Sequence, residues 1–112
     1  MEIKVEQVNN VSILSLDGEV NAFNSRDLVA KIANLIEEGQ YHIAVNLTEV
    51  TYVDSSGLGA LVSGLKKVKA HDGSLTLIDP QPDVREALRM TRLDTIFHIT
   101  DSVSEIAQTV FS

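Results

Sequence analysis

The chain has 112 residues, 16 acidic against 9 basic for a formal charge of −7, and no cysteine. That length makes one domain, spanning residues 1–112, with room for a proper core; the absence of thiols excludes disulfides and thiolate metal sites and sets a cytoplasmic expectation. The acidity, with 4% aromatics and no Trp, argues against a phosphate-backbone or base-stacking surface, so no nucleic acid partner is expected.

Ile3 and Val5 alternate with Glu2, Lys4 and Glu6, which predicts a half-buried strand and is not the layout of a signal peptide. Asn9-Asn10 can adopt the positive φ of a tight turn, and Val11, Ile13, Leu14 and Leu16 read as the hairpin partner. A turn is expected at Asp17-Gly18. The first helix is announced by Asn24 or Ser25 as N-cap, carries Leu28, Ile32, Leu35 and Ile36 inward, and stops at Gly39.

Ile43 to Leu47 shows little alternation, as a central strand does, with Val50 and Val53 following. A second helix carries Leu58, Leu61, Val62, Leu65 and Val68 at helical spacing. Lys66, Lys67 and Lys69 in its last turn complement the negative end of the dipole before Asp72-Gly73. Leu75, Leu77 and Ile78 form a strand, and Pro82 opens a third helix through Met90. Ile96–Ile99 is a short candidate strand. Ser102-x-x-Glu105 is a capping box ahead of Ile106, Ala107 and Val110. The order β-β-α-β-α-β-α-β-α predicts an α/β domain with a mixed sheet. No apolar run approaches the ~20 residues of a membrane span, so no membrane partner is expected.

Chemistry concentrates at Val53-Asp54-Ser55-Ser56-Gly57-Leu58-Gly59, where a strand hands over to a helix. The first N–H groups of a helix lack internal partners and its dipole attracts anions there. Such a site can cap itself, bind a phosphate or carry a phosphoserine. Neither Ser55 nor Ser56 has a glycine two places before it, so no nucleophile elbow forms. Gly59-x-x-x-x-Gly64 is followed by Leu65-Lys66-Lys67, which puts the lysine one place late for a phosphate loop and omits the magnesium-binding hydroxyl. Gly57 and Gly59 are expected to let the helix start tightly and pack close to the sheet. His42, His71 and His98 are scattered, so neither a catalytic residue, a metal site nor a cofactor is expected. One cap oxygen suffices, yet Asp54-Ser55-Ser56 offers three polar side chains. Spacing alone favours the cap.

Tyr52-Val53-Asp54-Ser55-Ser56-Gly57-Leu58-Gly59 resembles the helix-opening phosphorylation motif of the STAS-domain family, specifically the bacterial anti-sigma factor antagonists. Leu16-Asp17-Gly18-Glu19, Val45-Asn46-Leu47, Gly73-x-Leu75-x-Leu77 and Val84-x-x-x-Leu88 extend the resemblance over essentially the whole chain. It implies a STAS-like mixed sheet with helices largely on one side. It implies that Ser55 is phosphorylated by a partner anti-sigma factor serine kinase and dephosphorylated by a serine phosphatase. The unphosphorylated form would bind that kinase through Asn21, Asp54, Ser55, Ser56, Gly57 and Leu58, freeing the sigma factor. The alternative is a STAS module of another assembly, a signalling scaffold or lipid-transport complex, without a Ser55 switch. One position departs from the family: the acidic residue two places after the Glu of its Gly-Glu segment, which helps engage the kinase, is Asn21 here.

Overall fold

The computed structural model describes residues 1–108. Strands β1 (Glu2–Val8) and β2 (Val11–Val20) form an antiparallel hairpin, and β3 (His42–Val53), β4 (Ser74–Ile78) and β5 (His98–Thr100) follow in parallel, in sheet order β1-β2-β3-β4-β5. Helices α1 (Ser25–Glu37), α2 (Ser55–Lys69), α3 (Pro82–Met90) and α4 (Val103–Gln108) connect or follow them, with a 3-10 turn at Leu93–Thr95. The hairpin turn is Asn9-Asn10 with φ of 48° and 68°, the conformation that matches the strands' right-handed twist.

The sheet divides the core in two. Leu14, Leu16, Ile43, Val45, Leu47, Leu75 and Leu77 face α1 and α2 residues such as Leu28, Ile32, Leu61 and Leu65, with Val84 and Leu88 from α3. Val11, Ile13, Ala44 and Ile78 point to the opposite face, where α4 contributes Ile106. This explains the weak alternation of the central strands: both of their faces are covered. Helices α1 to α3 lie on one side and α4 on the other. The inward roles expected of Ala107 and Val110 fall outside the described side chains.

Pro82 occupies the first position of α3, and Gly39, at φ 81°, ends α1 with its N–H on the Ile36 carbonyl (2.9 Å). Asp72, not Gly73, takes the positive φ after α2. Gly73 is needed for a different reason, since a Cβ there would lie 2.0 Å from the Tyr41 carbonyl oxygen.

Three expectations are corrected. Asp17-Gly18 is not a turn: β2 runs through it to Val20, with register shifts against β3 absorbed between Ser15 and Asp17 and at Gly18 (φ 99°). Val5 is 42% exposed rather than half-buried, because β1 is the sheet's outer strand. The last strand starts at His98, since Ile96 caps the 3-10 turn and is exposed. At the start of α4 the Glu105 carboxylate accepts from Thr100 Oγ1, while Ser102 Oγ meets Ser104 Oγ (2.8 Å).

Candidate functional site at the start of α2

Strand β3 pairs with β4 only as far as Asn46 and then continues to Val53 beside β2. That extension carries the β3–α2 junction clear of β4. Asp54 is the N-cap, in extended backbone conformation. Its Oδ1 accepts from the Gly57 N–H (3.0 Å), satisfying one orphan donor of the helix. Its Oδ2 accepts from the Ala22 N–H (3.2 Å), and its own N–H donates to the Val20 carbonyl (3.1 Å). One carboxylate therefore caps α2 and ties down the β2–α1 loop.

With the cap supplied by Asp54, the serines are spare. Ser55 is exposed at the first position of α2 and Ser56 is half-buried at the second. Neither hydroxyl has a protein hydrogen-bond partner among the described residues. Gly57 and Leu58, expected at a partner surface, are buried. A Cβ on Gly57 would sit 2.7 Å from Val53 Cγ1 and 2.9 Å from the Val20 carbonyl oxygen, so this glycine lets the helix start against the sheet. Gly59 does not share that role: a Cβ there meets nothing within 4 Å. Gly64, part of the failed phosphate-loop pattern, packs instead against Ile32 Cδ1, 2.8 Å from its ideal Cβ.

The β2–α1 loop is built from side-chain hydrogen bonds. Asn21 Oδ1 accepts from the Phe23 N–H (2.9 Å). Asn24 Oδ1 accepts from the Asn21 N–H (2.8 Å), and its Nδ2 donates to the Glu19 carbonyl (2.9 Å). Asn24 is the N-cap position of α1, as expected, but its side chain serves the loop rather than the helix. The loop displays Phe23, a residue 97% exposed. Tyr52, two residues before Asp54, is also exposed, as is Met90 on α3. On α3, a hydrogen bond from the Arg89 guanidinium holds the Glu86 carboxyl below the usual carboxylate range. Sequence reading missed Phe23; an aromatic flanked by turn-forming asparagines was the available signal.

A groove of about 640 Å³ runs along α2 from Ser55 past Leu58 and Val62 to Lys66 and Lys67, with Thr91 and Leu93 as its other wall. The histidines lie elsewhere. His42, at the far end of β3, bonds Ser74 Oγ (2.9 Å), and His71 stacks on Tyr41 with centroids 4.4 Å apart. Among the described residues no cluster of three His, Cys, Asp or Glu could hold a metal, and no helix is long and apolar enough to cross a membrane.

The STAS-domain profile matches residues 2–106. The chain belongs to the STAS-domain family. A Thermotoga maritima protein assigned as an anti-sigma factor antagonist is 31% identical to this STAS domain over 104 residues, 92% of each chain. The crystal structure of an assigned anti-sigma factor antagonist from the same organism superposes with a TM-score of 0.90 at 29% identity, covering 95% of this chain and 92% of its own. The anti-sigma F factor antagonist of Paenibacillus polymyxa is 29% identical over 103 residues, 91% of this chain and 88% of its own. The Bacillus cell fate determinant SpoIIAA, in its phosphorylated form, shares the fold with a TM-score of 0.77 at 23% identity, over 96% of this chain and 97% of its own.

Proposed function

We propose that this STAS domain is an anti-sigma factor antagonist whose switch is phosphorylation of Ser55. The unphosphorylated form binds an anti-sigma factor serine kinase and frees the sigma factor; a serine phosphatase resets the switch. One observation carries the reading. Asp54 already caps α2, which leaves the Ser55 hydroxyl exposed and without a structural duty. The names of the relatives and the family membership support the partner class.

The mechanism is electrostatic. A phosphate adds about −1.5 to −2 charges at pH 7, next to Asp54 and on a domain of formal charge −7. At a helix N-terminus the fold accommodates that charge. Within a docked interface the same group is desolvated and repelled by any facing carboxylate. Phosphorylation therefore releases the partner without unfolding the domain. The partner surface on this reading is Asn21, Phe23, Ser55 and Ser56, with Asp54, Gly57 and Leu58 shaping it from beneath.

The test is a pull-down from the native cell with and without ATP, followed by incubation with the recovered kinase and mass spectrometry. Wild type and Ser56→Ala should gain one phosphate, on Ser55, and Ser55→Ala should gain none. Phosphate on Ser56 in wild type and in Ser55→Ala, or recovery of a partner that does not use ATP, would overturn the assignment.

A further inference from the structure

Strand β1 is an outer edge of the sheet, hydrogen-bonded only to β2. Its burial is slight on both faces: Glu2, Lys4, Val5, Glu6 and Gln7 are all exposed. Lys4 stands opposite Ser15 and Glu6 opposite Ile13. Neither charge forms an ion pair with its own chain among the described residues. Natural proteins use charge on an edge strand to prevent pairing, so the pattern of these charges decides what the edge can accept.

The hairpin register shows which backbone groups face outward. A two-residue turn makes Val8 and Val11 a hydrogen-bonded pair, and hydrogen-bonded and non-hydrogen-bonded pairs then alternate along the ladder. Glu6–Ile13, Lys4–Ser15 and Glu2–Asp17 are consequently hydrogen-bonded pairs. The N–H and C=O groups of Ile3, Val5 and Gln7 point away from β2, to the open edge. A second strand must pair through those three residues.

Consider an antiparallel copy of β1 placed there about a two-fold axis. Centring on Val5 opposes Val5 to Val5, Ile3 to Gln7 and Glu2 to Val8, so the whole strand is used. It also opposes Lys4 to Glu6 twice, at non-hydrogen-bonded positions, where facing side chains lie closest. Shifting the centre to Lys4 or Glu6 opposes like charges at the axis, and centring on Ile3 or Gln7 shortens the overlap. The fullest register and the one with matched charges coincide, and it covers the exposed Val5.

We propose that β1 is a self-complementary edge through which two copies of this chain pair antiparallel about Val5, joining their sheets into one of ten strands. On the sheet β2 lies between this edge and β3, whose end leads into the Ser55 junction, so the two switch sites of the pair stay open. The contact is small, so the association is weak.

Analytical ultracentrifugation of the full chain, up to about 1 mM, tests this. Wild type should reach twice the monomer mass. Lys4→Glu opposes Glu to Glu and Glu6→Lys opposes Lys to Lys, so each should raise the dimer Kd at least about tenfold. Mixing the two variants in equal amounts should restore the dimer, because one strand then carries two acids opposite two lysines. Val5→Pro removes an outward N–H, which an edge strand tolerates, and should give a monomer with native circular dichroism. The mixing arm stands whether or not that variant folds. A wild type that stays monomeric throughout overturns the proposal. So does a dimer that survives Val5→Pro in a folded protein, or charge variants that do not complement on mixing.

Discussion

Gly57 and Gly59 are two residues apart on α2, yet the structure assigns them opposite responses to alanine. In an open helical position, alanine is favoured over glycine by about 0.8–1 kcal/mol. Gly59 has nothing within 4 Å of its would-be Cβ, so Gly59→Ala should recover most of that gain. For a domain of this size about 1 kcal/mol corresponds to a rise in Tm of roughly 4 °C. Gly57→Ala has the same propensity gain, but its Cβ would meet Val53 Cγ1 at 2.7 Å and the Val20 carbonyl oxygen at 2.9 Å. The carbonyl belongs to sheet backbone and cannot rotate aside. Overpacking of this kind costs about 1–3 kcal/mol; with a backbone atom in the way the upper end applies. The net effect is a loss of about 2 kcal/mol, or roughly 8 °C. Urea and thermal melts followed by circular dichroism measure both. A binding measurement adds a functional reading, since Gly59 is exposed one turn beyond Ser55 on the same face of the helix. If the partner covers that face, Gly59→Ala should bind at least about tenfold more weakly, ~1.4 kcal/mol, while being the more stable protein. Alanine variants that shift stability in the same direction would refute the packing argument. A Gly59→Ala protein that binds like wild type would show that the partner does not reach this turn.

Other outcomes follow from the same junction. Asp54→Ala loses a helix cap and the clamp on Ala22, and should cost about 2 kcal/mol. Asp54→Asn keeps one of the two acceptors, enough to cap α2 but not also to hold the Ala22 N–H, and should cost about half of that; equal losses on denaturation would argue that the retained cap hydrogen bond contributes little without the charge. Ser55→Asp should weaken partner binding by at least about 1.4 kcal/mol with Tm near wild type, because a carboxylate at a helix N-terminus is compatible with the fold. A variant that binds poorly only when unfolded would count against the electrostatic switch. Asn21→Asp retains the oxygen that accepts from the Phe23 N–H, so the loop should keep its shape. The added charge should speed phosphorylation of Ser55 by the cognate kinase; a slower or unchanged rate would refute this, and a slower one with weaker binding would mean that the partner reads the amide.

Local signals in the chain determined most of the fold. The Asn9-Asn10 turn, Pro82 at a helix start, Gly39 at a helix end and the inward spacing of Leu28, Ile32 and Leu35 each act through neighbours in sequence, and all appear as expected. The position of the candidate site was legible for the same reason, since caps and helix starts are local chemistry. What the tertiary structure decided are contacts between segments distant in sequence. Asp17-Gly18 reads as a turn in isolation, but pairing with β3 draws it into a longer strand. Three adjacent polar residues could each cap α2; the Ala22 N–H, 32 positions away, fits the second oxygen of Asp54 and leaves Ser55 spare. Gly57 and Gly59 look alike in the motif, and only the approach of Val20 and Val53 tells them apart. Hydrophobic pattern and cap chemistry repeat along a chain and can be read from it, whereas which backbone group meets which side chain depends on how the strands are stacked.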